Sequence, residues 1–445
     1  MYKISKDSLQ AVLIEYRRKR LHLFLILFLS YVGFYFCRVD LLAALPLIEE
    51  GFHYSKTQTG VILSSYFIVY SAGKIINGLL GSRIGGKALL LIGIGGSVIC
   101  NTIFGFGKGL PFFITTWSAN AFFQSMGWLA IMSIMSHWYI STETGRAVGI
   151  ISLSYLLGDF AARLSAGMII GRDGAQWSEP FWIHAGIFAV IGSLAWALIR
   201  PVPENIGLPD VNTYGKSLGM GPEKTAETPR SEQNEVPSDR SNKWLFTMLS
   251  NKYFWLACLI YLGLSVIRYI FWSWSIVFLR ETGMATASAV VFSSVFPILG
   301  SFGAIFAGWV SDRMNARRGP ILATMASCMV LSIYIFSKIP IDQPLFLIIT
   351  LAIIGFTLIG PYSLLAGAMA IDFGSKYSAS AAAGIIDGVG AVGAALSGVG
   401  MGFLIDKHGW NGAFMIVIAI AFATAALCFS LWNLKPLSEC AQRSS

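Results

Sequence analysis

Twelve apolar blocks follow one another along this 445-residue chain, at about 21–47, 57–81, 87–107, 110–138, 145–170, 180–200, 253–280, 288–311, 319–338, 344–371, 379–405 and 410–432. A helix of about 20 apolar residues crosses the roughly 30 Å hydrocarbon core of a bilayer. In that medium every backbone N–H and C=O must bond within the protein, so an apolar block of this length spans as a helix. Composition agrees, since 55% of residues are apolar and 12% charged, against about 25% charged in soluble domains. So little charge cannot coat a soluble protein of this length. The expected class is an all-α polytopic membrane protein.

The net charge of +9 sits mainly at block ends rather than along one solvated face, which argues against nucleic acid. Arg17-Arg18-Lys19-Arg20 precede an apolar run as in a signal peptide. No small-residue cleavage site follows, so the run reads as the first span. The short loops on one side of the membrane, with both ends of the chain, carry 15 Lys and Arg, and those on the other carry 6. The positive-inside rule then places both termini in the cytoplasm. Pro201 to Lys252, rich in Pro, Ser, Glu and Lys, reads as a flexible linker. The expected organisation is a six-helix bundle over 1–200, a cytoplasmic linker over 201–252 and a second six-helix bundle over 253–445.

Other chemistry is sparse. The six cysteines are scattered and read as small apolar fillers, without metal-ligand spacing. His53, His137 and His184 are singletons near span ends and read as interface histidines. Glycine-rich stretches such as Gly93–Gly96 and Gly384–Gly402 fit close helix contacts better than phosphate loops. Gly107-Lys108-Gly109 lacks the strand–loop–helix setting of a nucleotide site. No Ser/His/Asp or Cys/His arrangement supports an enzyme, and no cofactor or metal is expected.

The halves repeat. Gly78-Leu-Leu-Gly-Ser-Arg83 and Gly308-Trp-Val-Ser-Asp-Arg313 each end an even-numbered span, 230 residues apart. Arg38 and Arg268, each deep in the first span of a half, keep the same offset. Such a repeat implies two bundles related by an axis along the membrane normal, with a site expected near the midplane where they face each other.

Four cations fall inside spans: Arg38, Lys74, Arg163 and Arg268. Each costs about 2.5–3.5 kcal/mol at a helix centre, so each needs a wet cavity, a partner or a ligand. Asp159 and Arg163 stand four apart, the spacing of a local ion pair; the alternative is an added site charge. Asp40 is two residues from Arg38 and points elsewhere on the helix. Arg38, Lys74 and Arg268 thus form a candidate cationic centre. Guanidinium forks suit phosphate oxygens bidentately, which points to a compact divalent anion. The competing reading pairs each cation with Asp387, Asp40 or a helix C-terminus. Tyr31 and Tyr35 lie on the face of Arg38 and can donate to an anion.

Six spans plus six with basic Gly-x-x-x-Asp-Arg loops resemble the major facilitator superfamily. The loop motif is complete at Gly308, Asp312 and Arg313, followed by Arg317-Arg318. The first copy ends at Arg83 and has Ser82 at the acidic position. More narrowly, the chain resembles the organophosphate:phosphate antiporter family. The matching stretches are Tyr31-x-x-x-Tyr35-x-x-Arg38, Gly73-Lys74-Ile-Ile-Asn-Gly78, Met126-Gly127-Trp128 with His137-Trp138, and Arg268-Tyr269-x-x-Trp272-Ser273-Trp274-Ser275. Later ones are Gly308-Trp309-x-Ser-Asp312, Gly355-Phe356 with Gly360-Pro361, Ala382-Ala383-Gly384, and Gly409-Trp410-x-Gly412-x-Phe414-Met415.

The resemblance implies a twelve-helix major facilitator fold in which Arg38 and Arg268 bind a phosphate moiety. Lys74, Tyr31 and Tyr35 line the site, and Trp128 and Tyr269 join the binding set. The activity implied is exchange of a sugar phosphate or glycerol phosphate for inorganic phosphate by alternating access, in a monomer of the bacterial inner membrane. The chain departs from the family in the fifth span, where Leu157 stands at the site histidine. It departs again at Ser265 and Ile359, each in place of a tyrosine, and at Asp387, in place of a small residue. Asp387 could pair with a site cation, bind a cationic part of the substrate or carry a proton; Asp159 is a second candidate carrier. Two other activities share the features: a membrane sensor of phosphate esters that signals to a partner protein, and a proton-coupled organic-anion transporter.

Overall fold

The computed structural model describes residues 6–211, 213–214, 248–314 and 318–432. The described residues are almost entirely helical. In chain order the helices are α1 (Lys6–Phe52), α2 (Lys56–Ile84), α3 (Gly86–Phe104), α4 (Leu110–Gln124), α5 (Met126–Met135), α6 (Ser141–Ile170) and α7 (Glu179–Leu198). Then come α8 (Lys252–Glu281), α9 (Thr286–Ser293), α10 (Val295–Arg313), α11 (Gly319–Lys338), α12 (Pro344–Leu364) and α13 (Ala370–Phe429).

Ten stretches among the described residues are long and apolar enough to cross a membrane. Two features reconcile ten with twelve apolar blocks. The fourth block is broken at Ser125 into α4 and α5, each too short to count alone. The eleventh and twelfth blocks run together in α13, a helix of 60 residues, about 90 Å if straight at 1.5 Å per residue. It is not straight. Gly409 takes a φ of 65°, a left-handed conformation open to glycine. Residues on both sides of it meet the same part of α8. Gly390 packs on Tyr261 while Gly263 packs on Thr424. Trp274 Nε1 donates to the Ser397 carbonyl at 3.2 Å, and Phe278 lies 5.2 Å, ring to ring, from Phe414. The chain turns back at Gly409, giving a twelve-span membrane protein.

By its contacts the chain divides into two compact units. The first holds residues 1–40, 69–162 and 178–233, and the second holds 41–68, 163–177 and 234–445. In the first unit, Phe34, Phe188, Ile94, Met126 and Ile131 form part of one buried core. Its α1 continues beyond the span as a basic arm, where Tyr16 stacks on Tyr214 at 3.9 Å and Arg20 pairs with Glu143. Tyr214 is fully buried, so the start of the Pro201–Lys252 stretch is docked. Its remainder, 215–247, lies outside the described residues.

In the second unit, the end of α1 and the start of α2 pack on α13. A Cβ on Gly60 would come within 2.5 Å of the Gly398 carbonyl, and one on Gly402 would strike Lys56. Ser64 Oγ donates to the Ala395 carbonyl at 2.5 Å. Gly398 and Gly402 of the Gly384–Gly402 stretch are thus close helix contacts.

Candidate functional site

The first unit gathers most of the expected site residues. Tyr31, Tyr35 and Arg38 share one face of α1, with Tyr31 5.8 Å from Tyr35 ring to ring. Trp128 of α5 lies 5.1 Å from Tyr31. The Arg38 guanidinium sits 4.7 Å from the Tyr35 ring and 5.1 Å from that of Tyr70 on α2. Lys74, one turn after Tyr70, places its Nζ 5.2 Å from the same ring. Two cations sharing one ring are no more than about 10 Å apart and repel by roughly 2 kcal/mol at an effective dielectric of 20. A dianion between them removes that repulsion, and the half-buried tyrosines add hydroxyl donors.

Gln124 fixes the guanidinium. This buried α4 side chain donates to the Phe34 carbonyl at 3.0 Å and accepts from Arg38 Nη2 at 3.2 Å. Tyr70 and Gln124 were not singled out from the sequence. Tyr70 stands four before Lys74, a same-face spacing that could have found it. A lone glutamine in an apolar block gives a weaker signal.

Behind Arg38, Asp40 is fully buried with His184 of α7. His184 Nδ1 lies 2.5 Å from Asp40 Oδ1, and Asn101 of α3 donates to Asp40 Oδ2 at 2.7 Å. His184 is therefore no interface residue, contrary to its reading from position: the hydrogen bond to Asp40 lets the ring leave water. Leu157, at the family's histidine position, is 53% exposed.

In the second unit, Arg268 on α8 is held between two rings. Its guanidinium is 4.9 Å from Tyr269 and 4.5 Å from Tyr362, and Nη1 donates to the Tyr269 hydroxyl at 3.4 Å. Tyr362 follows Gly360-Pro361 at the end of α12, where a π-helical turn, Leu365–Met369, resets the helix. Tyr362 stacks on Tyr261 at 4.5 Å. Tyr261 lies within electrostatic reach of both Asp387 and Arg268. Asp387 is exposed. The flanking Gly384 and Gly388 face open space, while Gly390 and Gly393 pack tightly on α8. Close backbone approach therefore begins beyond Asp387 rather than around it, because the tight glycines lie on another face of α13.

Arg163 is fully buried, donating to Ser293 Oγ at 2.7 Å and to the Trp272 carbonyl at 3.3 Å. Asp159 lies in the first unit, 2% exposed. Of the loop motif, Arg313 caps the Trp309 ring at 3.9 Å, Gly308 has open space around it and Arg83 is exposed. The Asp312 side chain and Arg317 lie outside the described residues.

A second polar cluster belongs to the second unit, at the span ends opposite the N-terminus. Lys56 Nζ bridges Glu49 at 2.5 Å and Glu281 at 2.6 Å. Asp406, at the turn of α13, accepts from the backbone N–H of Lys56 at 3.0 Å and of Thr57 at 2.8 Å. It caps the N-terminus of α2 from 349 residues away.

Residues 23–397 match the model of the Major Facilitator Superfamily. The chain is 29% identical to a "Probable hexose phosphate transport protein" of Chlamydia trachomatis, over 94% of this chain and 92% of the relative. It is 28% identical to the glycerol-3-phosphate transporter of Bacillus subtilis, over 94% and 93%. It is 29% identical to the membrane sensor protein UhpC of Escherichia coli, over 93% and 92%. Among solved structures, the inward-facing, unoccupied crystal structure of a bacterial homologue of the human lysosomal transporter Spinster shares the fold. Its TM-score is 0.76 at 15% identity, covering 93% of this chain and 97% of that one. The chain belongs to the Major Facilitator Superfamily.

Proposed function

We propose that this protein is a secondary carrier that exchanges a phosphorylated organic anion, of the sugar phosphate or glycerol phosphate class, for inorganic phosphate. The observation that supports this most is the convergence of Arg38 and Lys74 on Tyr70, with Gln124 orienting the guanidinium. Inside a membrane span, such a cluster is stabilised by an anion that leaves again during transport. In the first unit Arg38 takes phosphoryl oxygens bidentately, with Lys74, Tyr31, Tyr35, Tyr70 and Trp128 around it; in the second, Arg268 with Tyr269 offers the same chemistry. Binding lowers the barrier to rocking of the halves, and exchange follows by alternating access. The names of the Chlamydia and Bacillus relatives support the substrate class. The protein works as a monomer in a bacterial inner membrane, with both termini cytoplasmic as the loop charges favour.

The likeness to UhpC, as high as that to the transporters, favours one second reading: a sensor that binds the phosphate ester and signals to a partner protein without net flux. Uptake of labelled phosphate and glycerol phosphate into proteoliposomes separates these readings. An antiporter requires phosphate inside the vesicle. A sensor binds but gives almost no flux, and a flux driven by a pH gradient alone overturns the exchange mechanism.

A further inference from the structure

We infer that the Asp40–His184–Asn101 network is a positioning device that sets the rotation of α1 and so aims Arg38 at the anion. The inference rests on the anion-site reading of Arg38. An α-helix turns about 100° per residue, so Asp40 stands opposite the face shared by Tyr31, Tyr35 and Arg38. Phe36, four residues before Asp40, shares that rear face, and its ring stacks on His184 at 4.9 Å. The rear of α1 is thus fastened twice to α7, through a ring contact and through Asp40. Asn101 ties the same carboxylate to α3 and, through the Phe181 carbonyl at 3.0 Å, back to α7. On the flank, Asn120 donates to the Cys37 carbonyl at 2.9 Å.

The span needs such a device. Apart from Arg38 and its bond to Gln124, most of its other side chains are apolar or aromatic, and apolar packing alone distinguishes poorly between neighbouring rotations of an apolar helix. A buried carboxylate whose hydrogen bonds must be met by His184 and Asn101 has one acceptable partner geometry, which makes the rotation unique. The charged or titratable groups of the network itself are Asp40 and His184, with the neutral Asn101 from α3. Arg38 projects from the far side of α1, and Cys37 lies beside Asp40, fully buried.

Cys37 supplies the readout. A rotation of α1 that moves Arg38 off its site brings the neighbouring thiol out of the core. The test compares the parent with Asp40→Asn and His184→Gln, measuring maleimide labelling of Cys37 by peptide mass spectrometry and inorganic phosphate affinity on purified protein. The expected result is a Cys37 that becomes labelled together with at least a fivefold loss of phosphate affinity. In an Arg38→Ala background, Asp40→Asn should expose Cys37 again yet weaken phosphate binding no further, because the network acts through Arg38. Asp40→Glu, which keeps a carboxylate acceptor, should hold Cys37 sealed and give an intermediate affinity.

Sealed Cys37 or unchanged affinity in both single variants overturns the inference, as does an additive loss in the Arg38→Ala background. Should Asp40→Asn not fold, His184→Gln, which retains a donor, carries the same comparison. A parent that binds no phosphate refutes the proposed function instead, and the labelling of Cys37 still reports on the rotation.

Discussion

At the scale of single residues, the site chemistry rests on what a guanidinium can do and an ammonium cannot. A planar fork makes two parallel bonds to a phosphate, whereas a lysine offers a point charge. Arg38→Lys or Arg268→Lys should therefore weaken phosphate binding at least tenfold, about 1.4 kcal/mol or more, as read by isothermal titration. Lys74→Ala should cost less, since no bidentate geometry is lost. Normal affinity in both lysine variants would sink the paired-arginine site. Asp387 belongs to the same scale. It lies within electrostatic reach of Tyr261, which stacks on Tyr362, the ring over Arg268, as suits a carboxylate that attracts Arg268 between substrates. Asp387→Asn should then tighten phosphate binding and slow exchange, because release loses its replacement partner. Unchanged affinity with loss of a flux driven by a pH gradient would identify a proton carrier instead.

Elements are joined where small residues let backbones meet. On α6, Gly158 faces α1 so closely that a Cβ there would lie 2.9 Å from Tyr35 Cβ and 3.1 Å from Val32 Cα. Gly158→Leu must push α6 away from the helix that carries Tyr35 and Arg38. Overpacking of this kind costs about 1–3 kcal/mol, so thermal stability in detergent should fall and phosphate affinity with it. Full affinity at reduced stability would show that the α1–α6 contact does not set the site. The cap on α2 is a second junction. Asp406→Ala strips two backbone N–H groups of their acceptor, and caps of this sort contribute about 1 kcal/mol. Asp406→Asn, which keeps an acceptor oxygen, should recover much of that loss.

For the whole molecule, the instructive fact is which segments share a unit. Residues 41–68 and 163–177 come from the first six spans, yet they cluster with 234–445. Gly60, Ser64, Gly398 and Gly402 bring backbones together there, and Lys56, Glu49, Glu281 and Asp406 close the polar rim. Opening this end of the protein must break those bonds, so they set part of the barrier to rocking. Lys56→Met, which leaves Glu49 and Glu281 without their shared cation, should lower that barrier. A cysteine at Ser64, buried in the parent, should label faster with an impermeant thiol reagent in the Lys56→Met background. Equal labelling rates would show that the rim does not hold this end shut.

The sequence by itself marked the apolar blocks, the landmarks that recur 230 residues apart and the identity of the intramembrane cations. Each is a property of one stretch of chain against lipid: an apolar run of sufficient length must be helical, and a cation within it must have a purpose. Spacing on one helix face even grouped Tyr31, Tyr35 and Arg38. Which polar groups meet across helices was decided only by the tertiary structure. Asp40 and His184 stand 144 residues apart, and Gln124 reaches Arg38 over 86. His184, read as an interface residue, proved to be the buried partner of Asp40, whereas the turn at Gly409 falls between two blocks that the sequence already separates. In a span whose faces are nearly all apolar, periodicity carries little information about rotation. Rotation comes from the packing of side chains and close-set glycines, and from the few hydrogen bonds that lipid cannot replace.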